Sequence, residues 1–184
     1  MKKKFNPRIK ERLRKNRQVL SKNIDNFFGW VKGAKLVELK ECNTEEDPVR
    51  PELDNNFRTG YGRKIYGVEY LGEIHAVMCF AYTNKVPKSV DELEKLSTDA
   101  FLQTAMRDQS GGQIAIAYTV WSKKKGGGKL IVKEVFKKIK KSNHLNRLVT
   151  LSPLTDMATK FHERNGAKLI QINETTQNFE YKVL

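Results

Sequence analysis

Apolar and polar positions along this chain repeat with two different periods, and the switches between them predict its elements. In residues 8–30 the apolar positions Ile9, Leu13, Val19, Leu20, Ile24, Phe27 and Phe28 form a one-sided stripe, which predicts a helix ended by Gly29 or Gly33. Residues 41–56, "ECNTEEDPVRPELDNN", are polar and acidic with two prolines and read as a loop or a poorly ordered crossing. The period then shortens. "RKIYGVEYL" and "EIHAVMCFAYTN", separated by Gly72, read as two strands around a tight turn. Residues 88–108 return to helical spacing, with Ser89 and Glu92 placed as a capping box. "QIAIAYTVWS" is a β-branched and aromatic strand, and "LIVKEVFKKIKK" alternates apolar and basic residues at helical spacing.

"NRLVTLS" reads as a further strand, with Pro153 opening a turn or a first helical turn. "TDMATKFHERNG" reads as a short helix whose Asn165-Gly166 supplies a left-handed cap. "AKLIQIN" and "NFEYKVL" are the last two strands. This order predicts an α+β or α/β architecture: a central mixed, mostly antiparallel sheet of about six or seven strands with helices on both faces. Residues 1–40 are expected to be a basic helix and arm, and residues 57–184 the site-bearing unit, within one compact domain overall.

Composition narrows the class. No long apolar run exists, so no membrane-spanning segment is expected, and the basic first residues lack the apolar stretch of a secretory signal. Cys42 and Cys79 lie far apart without metal-ligand spacing, so neither a disulfide framework nor a metal site is expected, and a reducing cytoplasm is the simplest location. The net charge of +14 attracts anions, either nucleic acid or a phosphorylated small molecule. Much of it lies in residues 1–18 and 123–141.

The second basic segment has a specific form. A strand, then "KKKGGGK" (residues 123–129), then an amphipathic helix is a recipe for binding phosphate. Glycines allow backbone to approach a ligand, a helix N-terminus offers unpaired N–H groups, and lysines add charge. The spacing is neither a Walker loop nor the dinucleotide GxGxxG. A flexible turn with a solvated basic face is the plainer alternative.

The layout resembles the GNAT acyltransferase fold, over roughly residues 60–184. The signature of that fold, Arg/Gln-x-x-Gly-x-Gly/Ala, is met by Lys123-x-x-Gly126-x-Gly128, with Lys at the first place. The resemblance implies an acyl-CoA substrate. Lys123, Gly126, Gly127, Gly128 and Lys129 would hold its phosphates, and Tyr118, Thr119 and Val120 would line its pantetheine arm. It implies no metal and no organic redox cofactor.

Two further pieces, Leu151-Ser152-Pro153 and Phe161-His162 with Asn165-Gly166-Ala167, resemble the catalytic half of malonyl-CoA decarboxylase, which is built on the same fold. The resemblance implies Ser152 and His162 as the catalytic pair and Tyr181 as a pocket tyrosine. Only one short helix precedes the sheet here, ten residues separate Ser152 from His162, and the glycine loop is short, so the chain looks like a stripped-down relative.

The chemistry is self-consistent. Loss of CO2 from a malonyl thioester needs the carboxylate held across the carbonyl plane, charge on the thioester oxygen stabilised, and a proton delivered to carbon. A Ser–His pair supplies the last step, with a histidine expected to titrate near neutrality. His162 lies about seven residues into its helix, roughly 10 Å along the axis, within reach of a serine leaving the sheet. Each residue also has a plainer role: Ser152 as an N-cap, His162 as a helix-end residue, Tyr181 as a strand aromatic. His75 reads as structural, His144 as solvated, and Asp156 as a weak candidate for orienting His162. The expected function is therefore malonyl-CoA decarboxylation. An acetyl-CoA-dependent N-acyltransferase is the alternative, and a non-enzymatic nucleic-acid or acyl-CoA binding module the second. An oligomer is compatible with all three.

Overall fold

The computed structural model describes residues 11, 12, 14–17, 29, 30, 32–107 and 112–182. The chain divides into two compact units, residues 1–34 and 35–184. In the first, the described residues up to 33 are helical and Lys15 pairs with Glu11 one turn away. Most of the expected helix at 8–30, and most of the basic arm, lies outside the described residues.

The second unit is built on an eight-stranded sheet, one strand more than the upper expectation, in which the strands at 35–39, 64–70, 73–83, 114–122, 147–150, 176–181 and 152–153 lie side by side in that order and the strand at 167–172 also pairs with 176–181. Its first strand, β1 (Lys35–Leu39), was not anticipated; it pairs antiparallel with β2 (Lys64–Tyr70). β2 turns into β3 (Glu73–Thr83) through Leu71 and Gly72, both at positive φ, the geometry of a tight hairpin whose twist matches its strands. β3 pairs antiparallel with β4 (Ile114–Ser122), and β4 pairs in parallel with β5 (Arg147–Thr150). β6 (Ser152–Pro153), β7 (Ala167–Ile172) and β8 (Thr176–Tyr181) complete the sheet. Pro153 thus continues a broken strand, opposite Thr176, instead of opening a helical turn. The following N-cap is Thr155, whose hydroxyl accepts from Ala158 N–H.

Among the described residues of this unit, four α-helices flank the sheet. α1 (Asn55–Thr59) and α2 (Val90–Arg107) cover one face, where Phe57, Val90 and Leu93 pack with Ile65, Val77, Cys79, Ile114, Ile116 and Tyr118. The Ser89 hydroxyl accepts from Glu92 N–H, as the capping pattern predicts. Alternation along the strands turns Tyr66, Ala76 and Met78 to the opposite face. There α3 (Gly127–Lys140) buries Leu130, Ile131, Val132, Val135 and Ile139, and Lys138 sits 5.3 Å over the Tyr66 ring. α4 (Asp156–Arg164) ends at Gly166, which adopts the expected left-handed conformation.

Two irregularities interrupt the sheet around β4. The β3–β4 register jumps from Cys79↔Thr119 to Phe80↔Ala117, leaving Tyr118 as a bulge. The β4–β5 ladder ends at Ala117↔Thr150 with a last bond from Leu151 N–H to Ala117 C=O, although β4 runs on to Ser122. The two parallel strands therefore fork. A forked parallel pair leaves backbone groups facing a gap, the kind of irregular edge at which a ligand can pair with a strand.

Candidate active site

The fork opens into a cleft of about 630 Å³, bounded by Met78 and Ala117–Lys123 on one side and by Leu148, Thr150, Ser152 and Tyr181 on the other. Gly128 and Val132 of α3, Thr155, Met157, Ala158, Phe161 and His162 from the start and body of α4, and Glu46, Pro48 and Val49 of the 41–56 loop also line it. Its lining is mostly apolar, with polar groups converging at one end.

At that end Ser152 Oγ lies 2.8 Å from His162 Nε2, and His162 Nδ1 lies 3.0 Å from the Tyr181 hydroxyl. All three residues are about 5% exposed. Ser152 Oγ is also 3.1 Å from Thr150 Oγ1, which accepts the Phe179 N–H. The imidazole stacks on Phe179 with centroids 5.1 Å apart and meets Phe161 edge-on. The local folding is legible: β6 ends at Pro153, Thr155 caps α4, and two helical turns return His162 over the serine. Residues 177, 179 and 181 of β8 share the face toward α4.

Burial alone pushes the His162 pKa down to about 4. This departs from the expected titration near neutrality: at pH 7 the ring is neutral. Burial likewise pushes the Tyr181 phenol well above its usual range, so it keeps its proton. Asp156 does not orient the histidine; it is solvent-exposed and faces Lys160 at 3.6 Å. The group on Nδ1 is a neutral phenol. His75 stands 3.8 Å from Glu73, and the exposed His144 bonds Ser142 Oγ.

The glycine loop sits at the cleft mouth. Gly126 has φ +85°, and the first turn of α3 receives no side-chain cap. A Cβ at Gly127 would overlap Ser122 Oγ, and one at Gly128 would lie 3.1 Å from the Phe161 ring. Gly128 and Lys123 line the cleft; Gly126, Gly127 and Lys129 do not. Lys123 pairs with Glu46 at 2.7 Å, while Lys125 and Lys129 are exposed. Tyr118, Thr119 and Val120 all border the cleft, but the Thr119 hydroxyl points away from it, bonding Asp47 at 2.8 Å.

Sequence reasoning missed the groups behind β4. The acidic loop 41–56 is anchored by Asp47 and Arg50, both buried, and carries a 3-10 turn at Thr44–Glu46. Asp47 pairs with the buried Arg58 at 2.9 Å. Arg50 reaches across to the fork itself. Only charges flanked by prolines in a polar stretch hinted at them. Among the described residues no cluster of three His, Cys, Asp or Glu has metal-site geometry, and no helix is long and apolar enough to cross a membrane.

Solved structures with the same architecture were found. The chain is similar to the GphF GNAT-like decarboxylase in complex with isobutyryl-CoA (TM-score 0.63, 10% identity, covering 82% of this chain and 100% of that one). It is similar to the loading GNATL domain of CurA from Lyngbya majuscula (TM-score 0.57, 12% identity, 82% and 98%). It is also similar to a Bacillus subtilis acetyltransferase in complex with CoA (TM-score 0.55, 13% identity, 82% and 99%). No family model matches the chain, and no curated protein does. The chain therefore has the GNAT-like acyl-CoA fold, an open, mostly antiparallel sheet with helices on both faces.

Proposed function

We propose that this chain is an acyl-CoA enzyme that converts malonyl-CoA, or a closely related malonyl thioester, to the acetyl thioester and CO2. The observation that carries the reading is the neutral relay Tyr181–His162–Ser152 at one end of an apolar cleft. A phenol that keeps its proton and faces Nδ1 can donate to it. The imidazole proton then sits on Nε2 and is donated to Ser152 Oγ, whose own proton, donated to Thr150 Oγ1 at 3.1 Å, can rotate toward a substrate in the cleft.

This hydrogen-bond order suits proton delivery better than nucleophilic attack. A serine nucleophile passes its proton to histidine, and the resulting imidazolium needs a carboxylate behind it. Here a neutral tyrosine and a desolvated ring disfavour that cation. In the proposed step the bond from Cα to the carboxylate breaks, CO2 leaves, and the electron pair moves into the thioester carbonyl. Backbone N–H groups at the fork would face the resulting enolate oxygen. Ser152 gives its proton to the enolate carbon and is reprotonated from Nε2, and the relay is refilled from solvent, so each turnover consumes one proton.

Coenzyme A would enter along the forked edge of β4, with its pyrophosphate at the uncapped first turn of α3 near Lys123, Gly126, Gly127, Gly128 and Lys129. That a decarboxylase, GphF, shares this fold supports the reading, although a CoA-bound acetyltransferase shares it too. The two are separated by incubation with malonyl-CoA. Formation of acetyl-CoA and CO2 is expected. Acceptor-dependent release of free CoA from acetyl-CoA would favour the N-acyltransferase. Neither activity, together with nucleic-acid binding that weakens steeply with salt, would favour the binding module.

A further inference from the structure

We propose that Arg50 is a positioning residue that braces the fork between β4 and β5 and, through Leu151, holds Ser152 in place against His162. The ladder between the two strands stops after Leu151 N–H bonds Ala117 C=O. Carbonyls of Tyr118, the bulged residue of β4, and of Leu151, the residue before the serine, lie just beyond. Arg50 takes both: Nε donates to Tyr118 C=O at 3.0 Å and Nη2 to Leu151 C=O at 2.9 Å. One planar guanidinium thus bridges two diverging strands, where a ladder bond would draw them together. Its fork of donors suits this task, and a lysine ammonium on a flexible stem does not reproduce it.

The brace is itself anchored. Asp47 Oδ1 accepts the N–H groups of Val49 and Arg50, at 2.9 and 3.2 Å, which fixes the start of the Arg50 side chain. The same carboxylate accepts the Thr119 hydroxyl from the residue after the bulge and pairs with Arg58. Arg58 in turn donates to Arg50 C=O at 2.7 Å and to Cys79 Sγ at 3.3 Å, opposite Thr119 in the sheet. Every member of the group touches β4, its partner in β3, or the loop that carries Arg50. Arg50 is 6% exposed, so water does not substitute for it. Pro48 and Val49, just ahead of it in the loop, line the cleft itself.

The turnover arm of the test rests on the decarboxylase reading, and an amide-exchange arm does not. Replacing Arg50 by Lys should lower kcat for malonyl-CoA about 10- to 100-fold with KM changed less than about threefold, as expected for misplacement of a reacting group. Arg50→Ala should be weaker still and regain part of its turnover in millimolar guanidinium, which can occupy the vacated space. Independently of any reaction, hydrogen exchange should speed up at amides 118–122, 151 and 152 in Arg50→Lys and not in α2. A lysine variant with wild-type kcat and unchanged exchange at those amides would overturn the proposal. So would variants that fail to fold cooperatively and gain nothing from guanidinium, because Arg50 would then serve the fold alone. Wild-type protein without decarboxylase activity but with the predicted exchange pattern would reject the reaction and keep the brace.

Discussion

Ser152 Oγ and His162 Nε2 are 2.8 Å apart, ten residues along the chain and across the seam between the sheet and α4. Removing either partner should abolish most of the chemistry without emptying the cleft. Ser152→Ala and His162→Gln are each expected to reduce kcat for malonyl-CoA by about 10²–10⁴-fold, the usual share of positioned acid–base groups. Affinity for CoA, measured by calorimetry, should change little because neither side chain lies at the glycine loop.

The neutral state of His162 predicts an unusual pH profile. With its pKa pushed down to about 4, kcat should stay level through the range near pH 6.5 where an ordinary histidine titrates, and fall only toward pH 4. Stability follows the same group. The unfolded chain binds this proton near pH 6.5, the folded one only near 4, so the unfolded state gains protons first as pH falls. Stability is full above about pH 6.5 and is lost progressively toward pH 4, by roughly 3 kcal/mol from this site alone. Melting temperatures across that window should fall more steeply for wild type than for His162→Gln; parallel curves would remove His162 as the source.

Tyr181→Phe keeps the ring that meets Phe136 and His162 and deletes only the hydroxyl on Nδ1. If the phenol sets the tautomer, kcat should fall about tenfold or more, in line with the loss of one buried hydrogen bond. The folded ring should now place its proton on Nδ1 in a larger share of molecules, read from the nitrogen chemical shifts of labelled His162. An unchanged tautomer distribution with full activity would argue that Tyr181 only packs.

These pairings show which parts of the molecule local pattern encodes. Period-two and period-3.6 repeats are local, so β2 to β4 and α2 to α4 could be read directly, and turn chemistry at Gly72 and Gly166 placed their ends. Resemblance in short motifs brought Ser152, His162 and Tyr181 forward, and the fold puts them together. Burial of charge was not legible. Asp47 meets Thr119 and Arg50 meets Leu151 from 72 and 101 residues away, and only the adjoining Pro48 sets Asp47 apart from its solvated acidic neighbours. β1 was hidden for a related reason: five residues beside a polar loop become a strand only because β2 offers an edge.

The glycine loop yields a prediction about shape and charge separately. Gly127→Ala forces a methyl against Ser122 Oγ and Ala76, so it should destabilise the fold by about 1–3 kcal/mol, measured by urea unfolding. Lys125→Ala with Lys129→Ala removes two exposed charges near the same turn and should leave stability within about 0.5 kcal/mol. That double variant should raise KM for malonyl-CoA and flatten its dependence on salt, with kcat unaltered, since screened surface charge acts on capture of the anion.

Asp47 carries the heaviest structural consequence. Its carboxylate is fully buried, pairs with Arg58 at 2.9 Å, and accepts the Thr119 hydroxyl and two backbone N–H groups. Asp47→Asn keeps the size but leaves the Arg58 cation without its counter-charge in the interior. Breaking one partner of a buried pair is worth about 3–5 kcal/mol, so the variant should approach the limit of a marginally stable domain. Chemical denaturation should show a midpoint shift of that size. Thr119→Val, which removes one neutral donor and leaves the ion pair intact, should move the midpoint by only about 1 kcal/mol. Equal effects from the two substitutions would mean that the charge on Asp47 matters no more than one hydrogen bond.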